Sequence, residues 1–394
     1  MNRWSWLDVL AGPAGDGPAL SPQARQSLSI LDDLLFDVWN LGENIILVWT
    51  HDARELRFLA VRHYTVIEAS NPQFINKILA GPKFVPPGEF ESIRSVLEDA
   101  SHVVRTSCAP GDEPNRDLVT RLVTRYGVSL VRERAVVLLD AVGFSLRSPL
   151  EQVAMLNSLS YSVNSAYRQL LSKDVRINFA RTTTGDGFYI WSTVRTVEAN
   201  TALYKLMMLI LADNAVAQRK ATRFPVPRLR AAFHVGEHYE FYQVEALNPT
   251  TFGFIVGQVT IELSRMIAKA LPGQILLGDF NIEMQDGGSD DVVRYSTLEF
   301  VEKMTATLDQ LRGLVVAGDR IDNIRCYLTG QAVRDGHFLV GRYEIGDKHG
   351  LTRSVYNAKI NIHRDQAEPI YLGIQHKALH PPGAATPSWP GTEL

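Results

Sequence analysis

Two aspartates stand where apolar β segments end: Asp140 closes the apolar part of AVVLLDAVGFS, and Asp186 sits in the turn of RTTTGDGFYIW. A carboxylate at a strand end can simply cap the next turn or helix, and either residue taken alone is open to that reading. Two carboxylates held at such ends also supply the hard oxygen ligands that divalent cations prefer. The pair is the candidate metal site, so Arg134 to Trp191 is the stretch that the other elements must position.

Those elements follow from periodicity and turn chemistry. VRERAVVLLDAVGF reads as a strand. SPLEQVAMLNSLSYSVNSAYRQLL reads as a helix, with Ser148 as cap, Pro149 in the first turn and Glu151 in the capping-box position. VRINFARTTTGDGFYIWSTV reads as two strands meeting at Gly185-Asp186-Gly187, because Asp-Gly is a hairpin signal. TALYKLMMLILADNAVAQRKA is apolar on nearly every side and is expected to be buried. RLRAAFHVGEHYEFYQV is strand-like, QVTIELSRMIAKALPG is an amphipathic helix closed by Pro272-Gly273, and QILLGD is another strand. Beyond the polar turn MQDGGSDD, LEFVEKMTATLDQLRGLVV is helical, and HFLVGRYEIGDKHGL and RSVYNAKINIH are strands. Strands joined by antiparallel turns and interleaved with helices predict an α+β fold, an antiparallel-rich sheet packed by helices in the ferredoxin-like manner.

Residues 1–127 carry no chemical motif. After a Gly/Pro-rich start, a helix is expected over Leu28 to Leu41, then β runs in IILVWTHD and LRFLAVRHYTVIEA, then helical periodicity from Phe90 to His102 and from Arg116 to Tyr126. This part reads as a mixed N-terminal extension, either a structural layer or a sensory or oligomerising module. Residues 379–394, with HPPGAATPSWPGTEL, read as an unstructured tail.

Composition narrows the function classes. With 394 residues, a formal charge of -3 and 21% charged residues, the chain has no broad basic surface for nucleic acid. Its two cysteines, Cys108 and Cys326, lack metal-ligand spacing and disulfide density, so a reducing compartment is expected. No apolar run is long enough to cross a bilayer, and no signal-peptide pattern opens the chain, so the expectation is a cytoplasmic protein without a membrane partner. His234 and His238, four residues apart on a strand, would lie about 13 Å apart, too far to share a zinc ion. DGGSDD resembles a calcium loop only in composition. No GxGxxG, Walker lysine loop, HExxH, GGDEF or GGEEF occurs.

Four motifs in order carry a resemblance. From about Val128 to Asp279 the chain resembles the catalytic domain of class III nucleotidyl cyclases. VVLLDAVGFS is similar to the family's first metal strand, TTGDGF to its second metal turn, RAAFHVGE to its Arg-hydrophobic-His-x-Gly strand, and GQVTIELSRM to its Gly-x-x-Val-Asn-x-x-x-Arg helix. The resemblance implies a catalytic domain over 128–378. It implies two divalent ions, Mn²⁺ or Mg²⁺, held by Asp140 and Asp186 with the Ala141 backbone, and a nucleoside triphosphate substrate. Backbone amides around Phe144 and Ser145 would cradle phosphate oxygens, Lys348 would bind the triphosphate, and Arg265 would stabilise the transition state. It further implies a homodimer with active sites at the interface, Arg265 acting on the partner's metal site.

The base-selecting positions depart from the family. Adenylyl cyclases place a lysine four residues before the second metal aspartate and an aspartate three before the helix glycine; here these are Thr182 and Phe254. The added bulk of Phe254 favours a smaller base, and Thr182 can donate or accept. This pattern is similar to the uridylate and cytidylate cyclases of bacterial Pycsar antiphage systems, whose cyclic nucleotide acts on a separate effector; UTP is the favoured substrate. The family asparagine falls at Ile261, which leaves a non-catalytic nucleotide-binding or dimerising relative as the competing class, beside an adenylyl or guanylyl cyclase with an atypical base pocket.

Overall fold

The computed structural model describes residues 21–52, 55–68, 71–97, 101–107, 115–222, 225–245, 248–285, 292–333, 338–346, 350–379 and 389–393. In chain order the first elements are α1 (Pro22–Trp39), β1 (Asn44–His51), β2 (Glu55–Arg62), α2 (His63–Ile67), α3 (Pro72–Ala80), α4 (Pro87–Leu97), β3 (Ser101–Ser107) and α5 (Arg116–Arg125). Then come β4 (Val128–Ala141), α6 (Pro149–Leu171), β5 (Phe179–Thr183), β6 (Gly187–Ser192), α7 (Val197–Lys220), β7 (Leu229–Glu245), β8 (Asn248–Val256) and α8 (Gln258–Lys269). The last are β9 (Ile275–Gly278), β10 (Asn281–Gln285), β11 (Val292–Ser296), α9 (Thr297–Ala306), β12 (Val315–Val316), β13 (Asp319–Leu328), β14 (Arg342–Gly346), β15 (Thr352–Arg364), β16 (Ile370–Leu372), α10 (His376–Leu379) and β17 (Thr392–Glu393).

The chain divides into two compact units, residues 1–132 with 238–256, and residues 133–237 with 257–394. The division by contacts falls between residues 132 and 133, and residues 238–256, the end of β7 with β8, group with the first unit. The division falls inside β4, at Glu133, whose φ of 57° is left-handed and unusual for a residue with a side chain.

In the first unit β1, β2 and β3 form an antiparallel sheet. Successive residues of β1 feed two apolar layers: Ile46 and Trp49 pack with α1 and α5, and Ile45, Leu47 and Val48 with α3 and α4. Of the helix expected from Phe90 to His102, the described part is Pro87–Leu97, and Ser101–Ser107 is strand. Pairing with β2 outweighs the local helical period there.

The second unit is α+β. Its sheet runs β12-β13-β15-β9-β7-β4-β6-β5. The β9–β15, β13–β15, β4–β6 and β5–β6 pairs are antiparallel, and β7–β9 is parallel. Helices α6 and α7 supply much of the core: Leu159, Val163, Leu206, Leu209 and Ile210 are fully buried against the strands. α6 starts as its sequence predicts, with the Glu151 carboxylate accepting from the Ser148 amide at 2.9 Å. Because α7 is enclosed, its polar side chains have partners. Asn200 accepts from the Ala135 amide at 2.8 Å, Lys205 donates to Gln310 at 2.8 Å, and Asp213 accepts from Ser162 of α6 at 2.8 Å.

The stretch expected to be unstructured, 379–394, is ordered at both ends that are described. Leu379 closes α10, Thr392 and Glu393 pair with β14, and Trp389 is fully buried with its indole N–H on the Lys269 carbonyl at 2.9 Å. A single large aromatic supplies enough apolar area to dock an otherwise polar segment.

Candidate active site

Asp140 and Asp186 are brought together by strand register. Asp140 pairs with Gly187 across β4 and β6, and the Ala141 amide donates to the Asp186 carbonyl at 3.0 Å. Two glycines allow this turn. A Cβ on Gly187 would meet the Leu139 carbonyl at 1.8 Å, and Gly185 has φ of 98°. Within the turn Thr184 donates to Asp186 Oδ1 at 3.2 Å, which fixes that carboxylate.

Asp140 is 7% exposed, and its carboxyl is held above the usual carboxylate range. Burial is the main cause, opposed by a hydrogen bond and charge from Arg230, while the Asp186 carboxylate raises it further by charge and by hydrogen bonding. Two carboxylates so close, one of them buried, form a site whose electrostatics favour a cation. Their oxygens suit a hard divalent ion, and substrate oxygens and water would complete its shell, since among the described residues no group of three or more His, Cys, Asp or Glu forms a protein-only metal cage.

Arg230, at the start of β7, is a further residue of this candidate site that the sequence did not single out. Its Nε donates to Asp140 Oδ2 at 2.6 Å, and its Nη1 to the Ala270 carbonyl at the end of α8 at 3.2 Å. The signal was present, because Arg230 is the arginine that opens the RAAFHVGE motif.

Arg265 lies half-buried on α8, the helix that Gly257 introduces. The inner face of the same helix carries Glu262, which takes His234 Nε2 of β7 at 2.5 Å and Gln258 Nε2 at 2.6 Å, and also pairs with Arg353 of β15. Burial alone would raise the Glu262 carboxyl, but the His234 hydrogen bond and charge, with Gln258 and Arg353, bring it down to about 2. Ile261, at the family asparagine position, is 43% exposed.

The remaining expected residues are dispersed. Phe144 and Ser145 form a 3-10 turn, Phe144–Leu146, and α6 begins only at Pro149, so their amides are not those of the long helix. Thr182 pairs with Tyr189, whose hydroxyl donates to the Thr260 carbonyl of α8 at 3.1 Å. Phe254 belongs to the first unit, where it stacks on Phe241 with centroids 5.5 Å apart. Lys348 lies outside the described residues. Among the described residues no helix is long and apolar enough to cross a membrane.

No family profile and no curated protein matches the chain. Among solved structures it is similar to the adenylyl cyclase CyaB from P. aeruginosa, at 13% identity over 61% of this chain and 97% of that one, with a TM-score of 0.34. It is similar to the guanylate cyclase domain of RhGC from Catenaria anguillulae, at 16% identity over 43% and 97%, TM-score 0.30. A bacterial light-regulated adenylyl cyclase is similar at 14% identity over 46% and 98%, TM-score 0.30. At such identities and scores the chemistry of the site rests on its own residues.

Proposed function

We propose that this chain is a nucleotidyl cyclase that converts a nucleoside triphosphate, UTP by preference, into its 3′,5′-cyclic monophosphate and pyrophosphate. The observation that carries the reading is the carboxylate pair: Asp140, its carboxyl raised by burial and further by Asp186, at the end of β4 beside the β5–β6 turn. The run β4-α6-β5-β6-α7-β7, with β7, β4, β6 and β5 as successive sheet neighbours, supports a ferredoxin-like core around that pair.

In this reaction the ribose O3′ forms a bond to the α-phosphorus, the bond to the β-phosphate oxygen breaks, and the hydroxyl proton passes to solvent. Two divalent ions, Mn²⁺ or Mg²⁺, would supply activation of the hydroxyl and neutralisation of the phosphates. Asp140 and Asp186, with the Ala141 backbone, are the residues that would hold them. Arg230 keeps the Asp140 carboxylate oriented and places a cation beside the phosphates. Arg265, contributed by the partner in a homodimer, would face charge developing on the phosphorus, where a planar guanidinium is suited. Backbone amides at Phe144 and Ser145 and the Lys348 ammonium would bind the triphosphate. Thr182 and Phe254 replace the charged adenine-reading pair, which favours a pyrimidine base. The cyclic product would serve as a second messenger to a separate effector in antiphage defence.

Purified protein incubated separately with UTP, CTP, ATP and GTP plus Mn²⁺, with products identified by mass spectrometry, tests this. Cyclic UMP or CMP supports the full reading. Cyclic AMP or GMP keeps the cyclase and overturns the base assignment. No cyclic product from any of them favours the second reading, a nucleotide-binding or dimerising relative without turnover, for which the specific observation is the apolar, partly exposed Ile261 at the asparagine position.

A further inference from the structure

Helix α8 is tied to the sheet beneath it at two points along β7. At its C-terminal end the Ala270 carbonyl accepts from Arg230 Nη1 at 3.2 Å, and in its middle the Glu262 carboxylate takes His234 Nε2 at 2.5 Å. Along a strand the step from Arg230 to His234 spans about 13 Å. Along a helix the step from Glu262 to Ala270 spans about 12 Å. The two spacings match, so α8 runs antiparallel along β7, and Arg265 falls between the two anchors.

The anchor at Glu262 is built from more than one strand. Arg353 of β15 donates to the same carboxylate. Between β7 and β15 runs β9, where Gly278 follows the Phe233–Leu277 pair and lies opposite Val355. A Cβ on Gly278 would meet His234 Nδ1 at 2.1 Å. Its missing side chain lets the imidazole lie over β9, so that His234 and Arg353 converge on one acid. Phe280 meets the imidazole edge-on, with centroids 5.9 Å apart.

Adhesion alone does not call for this cluster. Val259, Leu263 and Met266 already bury the apolar face of α8. Apolar groups in place of Glu262, His234 and Arg353 would hold the helix about as well, without desolvating an ion pair. They would also avoid the buried His234 Nδ1, which has no hydrogen-bond partner. What apolar contacts do not set is the rotation of a helix and its position along its own axis. Directional bonds from two strands to one carboxylate set both.

We infer that Glu262, held by His234 and Arg353, is a positioning residue that fixes the rotation and axial position of α8 and thereby the place of the Arg265 guanidinium. The inference rests on the cyclase reading, in which Arg265 faces the charge developing on phosphorus. A displacement of about 1 Å at such a group costs about 10²-fold in rate. Substrate binding, which depends on the carboxylate pair and the phosphate contacts, is left unchanged.

Steady-state kinetics of the full chain with Mn²⁺ and the triphosphate that the parent turns over test it. His234→Leu should lower kcat about 10²-fold with KM unchanged, the pattern of an interaction made only in the transition state. His234→Gln, which offers an amide N–H near the place of Nε2, should recover most of that loss. Glu262→Gln should lower kcat without raising KM. In an Arg265→Ala background His234→Leu should change kcat by no more than about twofold, because it acts through Arg265. Thermal melting shows that each variant folds, and its rise on adding Mn²⁺ should match the parent's. No cyclic product from the parent overturns the cyclase reading and this inference with it. With an active parent, unchanged kcat in both His234→Leu and Glu262→Gln overturns this inference alone. So does a raised KM, a His234→Gln variant as slow as His234→Leu, or an equal loss with and without Arg265. A smaller Mn²⁺ shift in His234→Leu places the effect at the carboxylate pair and overturns it as well.

Discussion

Arg230 donates to Asp140 Oδ2 through Nε and to the Ala270 carbonyl through Nη1, so one guanidinium ties the carboxylate pair to the end of the helix that carries Arg265. The carboxylate pair and the C-terminal end of α8 are thus tied together within a single chain by Arg230, which contacts both.

Replacing that guanidinium exposes the coupling. Arg230→Ala leaves Asp140 buried against Asp186 without its compensating charge, and should destabilise the metal-free protein by about 2–3 kcal/mol. Added Mn²⁺ should then raise the melting temperature more in the variant than in the parent, because the cation takes over the role of Arg230. Equal Mn²⁺ shifts in both would separate Asp140 from metal binding.

Asp186→Ala removes one of two repelling carboxylates. Melting temperature should hold or rise, while cyclic-nucleotide formation should fall below detection, as it should for Asp140→Ala. Unchanged product in either variant refutes the metal assignment.

Glu262 makes acid stability a readout of how α8 is held. Its carboxyl lies at about 2 in the folded protein against an ordinary 4.5, so above pH 4.5 it contributes stability on the order of 3 kcal/mol, lost as pH falls from 4.5 towards 2. Asp140 acts in the opposite sense: raised above 3.8, it contributes less stability as pH rises above that value. Urea unfolding of Glu262→Gln at stepped pH should show the acid-dependent loss reduced between pH 4.5 and 2. A pH profile identical to the parent's would show that His234 and Arg353 do not stabilise its charge.

Trp389 closes the second unit from its far end of the sequence. The ring is fully buried, packs edge-on to Tyr343 at 5.0 Å and caps the Lys269 carbonyl. Trp389→Ala should cost about 3–5 kcal/mol in denaturant unfolding. A loss under 1 kcal/mol, roughly a surface value, would mean that the segment is only loosely docked.

On the proposed cyclase reading, Ile261→Asn places an amide at the position where that reading expects an asparagine. Since Ile261 is 43% exposed, stability should change by no more than about 0.5 kcal/mol. Initial rates should rise with the substrate preference unchanged. A slower enzyme would show that another group already fills the asparagine's role.

The placement of the two carboxylates at a strand end and a turn was legible in the sequence because it is locally encoded. Asp140 ends an apolar strand, Asp186 sits in a Gly-Asp-Gly turn, and strand-turn chemistry acts over a few residues. The capped start of α6 and the all-round burial of α7 were legible for the same reason, since helical period and caps are short-range signals. Tertiary structure decided what depends on partners far along the chain. Ser101–Ser107 became strand because β2 offered an edge, and Trp389 became core because α8 and Tyr343 left it a place. The Arg230–Asp140 pair and the His234–Glu262–Arg353 cluster each join residues on separate elements. No local period reports such neighbours, because which strands meet, and in what register, is set by packing of the whole sheet.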